Sequence, residues 1–92
     1  MSAVKRVVLD VLKPHHPNVL DFARVIADLK DDYRVKVTVS EVDEKTESTI
    51  VRIDGDNIEF DAIADVIANM GGSVHSIDEV EIAGTPSSDT SE

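Results

Sequence analysis

An α+β sandwich of element order βαββαβ is the fold this sequence predicts. Three observations carry it. Two stretches repeat apolar residues at helical spacing, four stretches read as strands, and turn residues separate them in that order. The stretch 33–40 is the clearest: Tyr33, Val35, Val37 and Val39 alternate with Arg34, Lys36, Thr38 and Ser40. Strict alternation sets one row against a core and the other in water.

The first strand is expected over 4–13, where Val7-Val8-Leu9-Asp10-Val11-Leu12 has the near-continuous apolar content of a central strand. Pro14 and Pro17 end it, because a residue without an N–H cannot continue a central ladder. Pro17 suits the first turn of a helix, where that N–H would have no partner anyway. From Asn18 to Lys30, Val19, Phe22, Val25, Ile26 and Leu29 share one helical stripe, with Ala23 at its edge and Leu20 pointing away. Asp31-Asp32 breaks that helix.

Residues 42–47 read as a hairpin connection from the 33–40 strand to a partner over 48–54. In that partner Thr49, Val51 and Ile53 face inward and Ile50, Arg52 and Asp54 outward. Asp54-Gly55-Asp56-Asn57 turns the chain into a second helix. Asp56 with Glu59 has capping-box spacing, and Asn57 competes as the cap. Phe60, Ile63, Val66, Ile67 and Met70 form the second stripe, and Gly71-Gly72 ends it. The last strand is expected over 73–82, with its apolar parity slipping between Ile77 and Val80, as at a bulge or interrupted edge. Residues 85–92 have nothing to bury and are expected to form a disordered tail, leaving a single domain over 1–84. This order, with its weak pseudo-repeat of two βαβ-like halves, is that of the ferredoxin-like sandwich: one antiparallel four-stranded sheet, two helices on one face, the other face open.

Composition narrows the function. Nineteen acids against nine Lys plus Arg give a formal charge of −10. That charge opposes binding to nucleic-acid phosphates. Phe22, Tyr33 and Phe60 are the only aromatics, and neither Phe falls on the open sheet, so the stacking platform of single-stranded RNA binders is missing. No apolar run approaches a membrane span, and Met1–Arg6 has no signal-peptide pattern, which points to a cytoplasmic protein without membrane or nucleic-acid partners. Absence of cysteine removes disulfides, thiolate metal sites and a cysteine nucleophile. Twelve of the acids are Asp. Two readings of this surplus stand, an ordinary acidic surface and a salt-adapted, halophilic one.

Two clusters of chemistry follow from the topology. With Val7, Leu9 and Val11 toward the helices, Arg6, Val8, Asp10 and Leu12 point to the open face, joined by Arg34, Lys36, Ile50 and Arg52. Four of nine basic residues would then share one face with exposed apolar neighbours. A pair such as Asp10 with Arg52 is the expected cross-strand contact if water covers that face. A second copy of the chain, or an anionic ligand, is the alternative cover. The second cluster supposes that the first and third strands run parallel, with the fourth antiparallel to the first. Their ends would then gather Lys13, His15, His16, Asp54, Asp56 and His75, a set suited to a divalent cation such as Ca, Mg or Zn. Turn-forming Asp-Gly-Asp and exposed loop histidines explain the same residues without a metal. No catalytic pattern stands out: Ser73 and Ser76 flank His75 but strand neighbours point to opposite faces, and Gly71-Gly72 follows a helix instead of opening one.

The segments Val7-Val8-Leu9-Asp10-Val11-Leu12-Lys13-Pro14-His15 and Gly71-Gly72-Ser73-Val74-His75-Ser76-Ile77-Asp78-Glu79-Val80 resemble a small archaeal family known only as a domain of unknown function, number two hundred and eleven. The resemblance spans about residues 4–84. It implies a ferredoxin-like fold, an archaeal cytosol and ring-like or other multi-subunit homo-oligomers, with no established reaction. Its motif positions here are Asp10, Lys13, His15, His75, Ser76 and Asp78, while His16 departs from the pattern, where Glu is expected.

The resulting expectation is a non-enzymatic, homo-oligomeric binding or regulatory module for a small ligand or cation, with another copy of itself and a small anion or cation as its expected partners. Its ligand or oligomer face comprises Arg6, Asp10, Lys13, Arg34, Lys36, Arg52, Ser76 and Asp78. The alternative is a metal-dependent enzyme or divalent-metal carrier using His15, His75, Asp54 and Asp56.

Overall fold

The computed structural model describes residues 2–84; the expected tail over 85–92 lies outside them. Six elements follow in the predicted order: β1 (Ser2–Pro14), α1 (Val19–Ala27), β2 (Arg34–Val42), β3 (Thr46–Asp54), α2 (Phe60–Asn69) and β4 (Ser73–Gly84). The strands form one sheet of order β2-β3-β1-β4, every neighbouring pair antiparallel. This is the ferredoxin-like arrangement.

The direction expected for the first and third strands is corrected here. β1 and β3 are antiparallel, with Arg6 opposite Asp54 and Lys13 opposite Glu47. The end of β1 therefore meets the start of β3.

Alternation in the central strands holds. Val7, Leu9 and Val11 of β1 and Thr49, Val51 and Ile53 of β3 are buried on one face, where Phe22 and Ile26 of α1 and Ile63 and Ile67 of α2 close the core. Burial of such side chains contributes about 1.5–3 kcal/mol each relative to exposure. Thr49 joins this row at no polar cost, because its hydroxyl donates to the Val11 carbonyl at 2.7 Å.

Element ends differ from expectation for local reasons. Asn18 caps α1, its side chain accepting from the Asp21 amide at 2.8 Å. The helix ends at Ala27, earlier than the periodicity implies, and Leu29 is already in a turn, its amide donating to Ile26. The Asp56–Glu59 capping box does not form. Glu59 is the N-cap of α2 with no side-chain cap bond, and the Tyr33 hydroxyl accepts the Glu59 amide at 2.8 Å. The hairpin is tighter than 42–47: Val42 pairs with Glu47, and the Asp43 amide donates to the Thr46 carbonyl at 2.8 Å. Gly71 ends α2 at φ +86°, in the left-handed region that glycine tolerates.

The two layers differ in length. A ten-residue helix spans about 15 Å, whereas a twelve-residue strand reaches about 40 Å. Edge strand β4 consequently runs past its helical cover. Its register slips between Ile77 and Glu79, at the predicted bulge, and again between Val74 and Ser76. Ile77, Val80 and Ile82 remain 49%, 48% and 56% exposed. Ile77 and Val80 stand opposite the buried Leu9 and Val7.

Candidate functional site

Two polar clusters stand at opposite ends of the sheet. The first joins the end of β1 to the β2–β3 hairpin. Lys13 continues the inward row of Val7, Leu9 and Val11, so its side chain lies under α1 instead of on the open face where it was expected. It has no exposed surface. Its Nζ donates to Glu47 Oε1 at 3.0 Å and to the Pro14 carbonyl at 2.8 Å, and lies 5.6 Å from the centre of the Phe22 ring. A buried ammonium needs such partners, since an unpaired one would be strongly disfavoured.

Glu47 also holds His15, whose Nδ1 lies 3.1 Å from Glu47 Oε2 while Nε2 lies 3.0 Å from the Glu44 carbonyl. Carboxylate and carbonyl oxygens only accept, so both bonds exist together only in the doubly protonated imidazolium. The Glu47 hydrogen bond and then the Glu44 carbonyl raise the His15 pKa above 6.5. Hydrogen bonds from His15 and then Lys13 lower that of Glu47. With both ring nitrogens committed as donors, His15 offers no lone pair to a metal.

The second cluster lies on the open face near the start of β1. Asp54 divides its carboxylate: Oδ1 accepts from Arg6 Nε at 2.7 Å and Oδ2 from Arg52 Nε at 2.9 Å. Arg6 also reaches Glu79 at 3.4 Å and Glu81 at 3.3 Å. Burial pushes the Asp54 pKa up, but the bonds from Arg6 and Arg52 outweigh it and the net shift is downward. The expected Asp10–Arg52 pair is absent. Register places Asp10 opposite Ile50 and Arg52 opposite Val8. Arg34 and Lys36 make no ion pair among the described residues.

The residues proposed as metal ligands do not converge. Glu47, beside His15, and Asp54, opposite Arg6, are seven positions apart, about 23 Å along a strand. Asp56 lies in the turn beyond, its amide bound to the Asp32 carboxylate at 2.7 Å. His75 is exposed at the β4 irregularity beside Asp10 and Val11, and His16 is exposed after β1. Among the described residues no group of three or more His, Asp or Glu is placed to share a metal ion. The antiparallel direction of β1 and β3 is the physical reason. Ser76 stands opposite Asp10, and its Oγ donates to Asp78 Oδ1 at 2.7 Å.

Glu47 is the residue that sequence reading missed, having been placed in the connection. Its signal was present. Counting back by two from Ile53, Val51 and Thr49 places Glu47 on the same face as Lys13.

A four-stranded antiparallel sheet with two helices on one face, a paired polar end and an open face that carries Arg6, Arg34, Lys36 and Arg52 beside carboxylates defines a small ferredoxin-like α+β domain. The chain belongs to the family DUF211, described as uncharacterized ArCR, whose model matches residues 5–90. It is 45% identical over 80 residues to the uncharacterized protein MJ0319 of Methanocaldococcus jannaschii, covering 87% of this chain and 82% of that protein. Among the described residues no helix is long and apolar enough to cross a membrane.

Proposed function

We propose that this protein is a non-enzymatic, homo-oligomeric binding module of the archaeal cytoplasm, in which a second copy covers β4 and the open sheet face holds a small ligand. The observation that carries self-association is the stripe Ile77, Val80 and Ile82, half exposed on a strand that among the described residues has one neighbour in the sheet. Such a strand offers unpaired backbone donors and acceptors beside apolar side chains, both of which another copy can satisfy. A domain of this size without disulfides gains stability from that burial.

The non-enzymatic reading draws on how the reactive groups are used. His15 spends both nitrogens on oxygen acceptors, the Lys13 ammonium is buried against Glu47, and the Ser76 hydroxyl serves a carboxylate. None is left as a nucleophile beside a base. A divalent-metal enzyme or carrier on His15, His75, Asp54 and Asp56 would need those residues gathered, and one chain holds them apart. The cytoplasmic reading draws on the acidic, cysteine-free composition.

Light scattering at micromolar chain concentration, in dilute buffer and in molar salt, tests the assembly. A defined multimer is expected, shifting to a smaller species in Val80→Glu. A strict monomer under both conditions would overturn self-association.

A further inference from the structure

We infer that Arg34, Lys36 and Arg52 form an oxyanion site on the open face that takes a dianionic phosphate group, free or as a monoester. The assignment rests on the reading of that face as the ligand surface and gives the ligand its chemistry. Arg34, Val35, Lys36, Arg52 and Asp54 line a recess of about 310 Å³. Ligand pockets begin at about that size, roughly 300 Å³. Its lining holds three cations against one carboxylate.

Register makes this arrangement costly when empty. Lys36 stands directly opposite Arg52, and like charges in that position destabilise a sheet. Arg34 stands opposite Asp54, its natural partner, yet the two Asp54 oxygens are engaged by Arg6 and Arg52. Arg34 and Lys36 are thus left without an ion pair among the described residues. The chain has acids in twofold excess, nineteen against nine, so a sheet face meant only for water had ample carboxylate to set against Lys36.

Phosphate suits the site better than a single carboxylate. Its three terminal oxygens can meet three cations at once, and its double charge offsets both members of the Lys36–Arg52 pair. Arg52 is held at Nε by Asp54, which fixes the plane of its guanidinium while leaving the Nη groups without a hydrogen-bond partner among the described residues. Arg34 supplies a second planar fork. Such forks match phosphate geometry.

The test is calorimetric titration of the full chain at constant ionic strength with inorganic phosphate, with glycerol phosphate and with acetate. Saturable phosphate binding is expected, with acetate silent. Tighter binding of glycerol phosphate would assign a monoester, and equal binding free phosphate. Arg34→Gln with Lys36→Gln should weaken binding at least tenfold, whereas Arg24→Gln, on α1 outside the recess, should leave it unchanged. Circular dichroism establishes that the double variant is folded. No saturable heat, an equal response to acetate, or unchanged affinity in the folded double variant would overturn the site. Light scattering reads the assembly separately: saturable phosphate binding by a strict monomer would keep this site and remove self-association.

Discussion

Lys13 is fully buried and donates to Glu47 across β1 and β3 at 3.0 Å. In a chain of net charge −10, one of its five lysines is spent in the core and held there by a single carboxylate. The stem lies among apolar groups under α1 while the ammonium meets Glu47, the Pro14 carbonyl and the Phe22 ring. The pair ties the end of the central strand to the hairpin that follows β2.

Breaking it from one side should be far worse than replacing both sides. Glu47→Gln leaves a buried ammonium without its counter-charge and should lower the thermal midpoint. Lys13→Met combined with Glu47→Gln removes the buried charge as well, and should recover the part of that loss that comes from the unpaired ammonium, because Met fills a similar volume, while the weakened bond to His15 remains. Thermal unfolding of the two single variants and the double variant checks this. Additive losses would show that the two side chains do not act as a pair.

The pair also shows where sequence reading succeeds and where it stops. Alternation alone places Val7, Leu9, Val11, Thr49, Val51 and Ile53 inward, and they are buried. It places Lys13 and Glu47 inward too, once β3 is extended by two residues. The direction of β3 was equally legible. A crossover through α1 sets β2 parallel to β1 and the hairpin reverses the chain, so β3 must oppose β1. Only a β3 parallel to β1 would bring Asp54 beside His15, as the metal set of His15, His75, Asp54 and Asp56 requires. Other features depend on distant side chains that no local pattern encodes. The N-terminus of α2 is satisfied by the Tyr33 hydroxyl, twenty-six positions away, and which Arg holds Asp54 follows from register and rotamer together.

His15 should give stability a dependence on alkaline pH. Its folded pKa is raised, so its contribution is fully present below the ordinary value of 6.5 and is lost as pH rises through the folded value. Glu47 is shifted the other way: its contribution is present above the ordinary 4.5 and is lost as pH falls through the depressed value. The His15–Glu47 bond therefore stabilises the fold in the interval between those two folded values. Chemical denaturation from pH 6 to 9 should show stability falling in the wild type and a flatter profile in His15→Gln. Equal slopes would assign the fall to other groups.

Gly71→Ala should destabilise by about 1–2 kcal/mol, the cost of placing a side chain in left-handed backbone. A Cβ there would also come within 3.2 Å of Pro14 Cγ. Gly84→Ala is the control, because among the described residues no heavy atom lies within 4 Å of its added Cβ and its φ is not in that region. Urea denaturation of both variants measures the difference. Similar midpoints would mean that the α2–β4 turn can adopt another geometry.

Asp54 separates the two roles of the open face. Asp54→Asn leaves Arg6 and Arg52 without their shared charge, and since its folded pKa is lowered, the wild type should lose stability as pH falls through that depressed value. The variant should lack this acid limb. The same substitution removes the one carboxylate in the lining of the Arg34–Lys36–Arg52 recess. Phosphate affinity should consequently rise at constant ionic strength, even though the folded protein is less stable at neutral pH. Opposite signs for stability and affinity would show that Asp54 competes with the ligand for the charge of Arg52. If both fall together, Asp54 orients Arg52 for the ligand more than it competes with the ligand for charge.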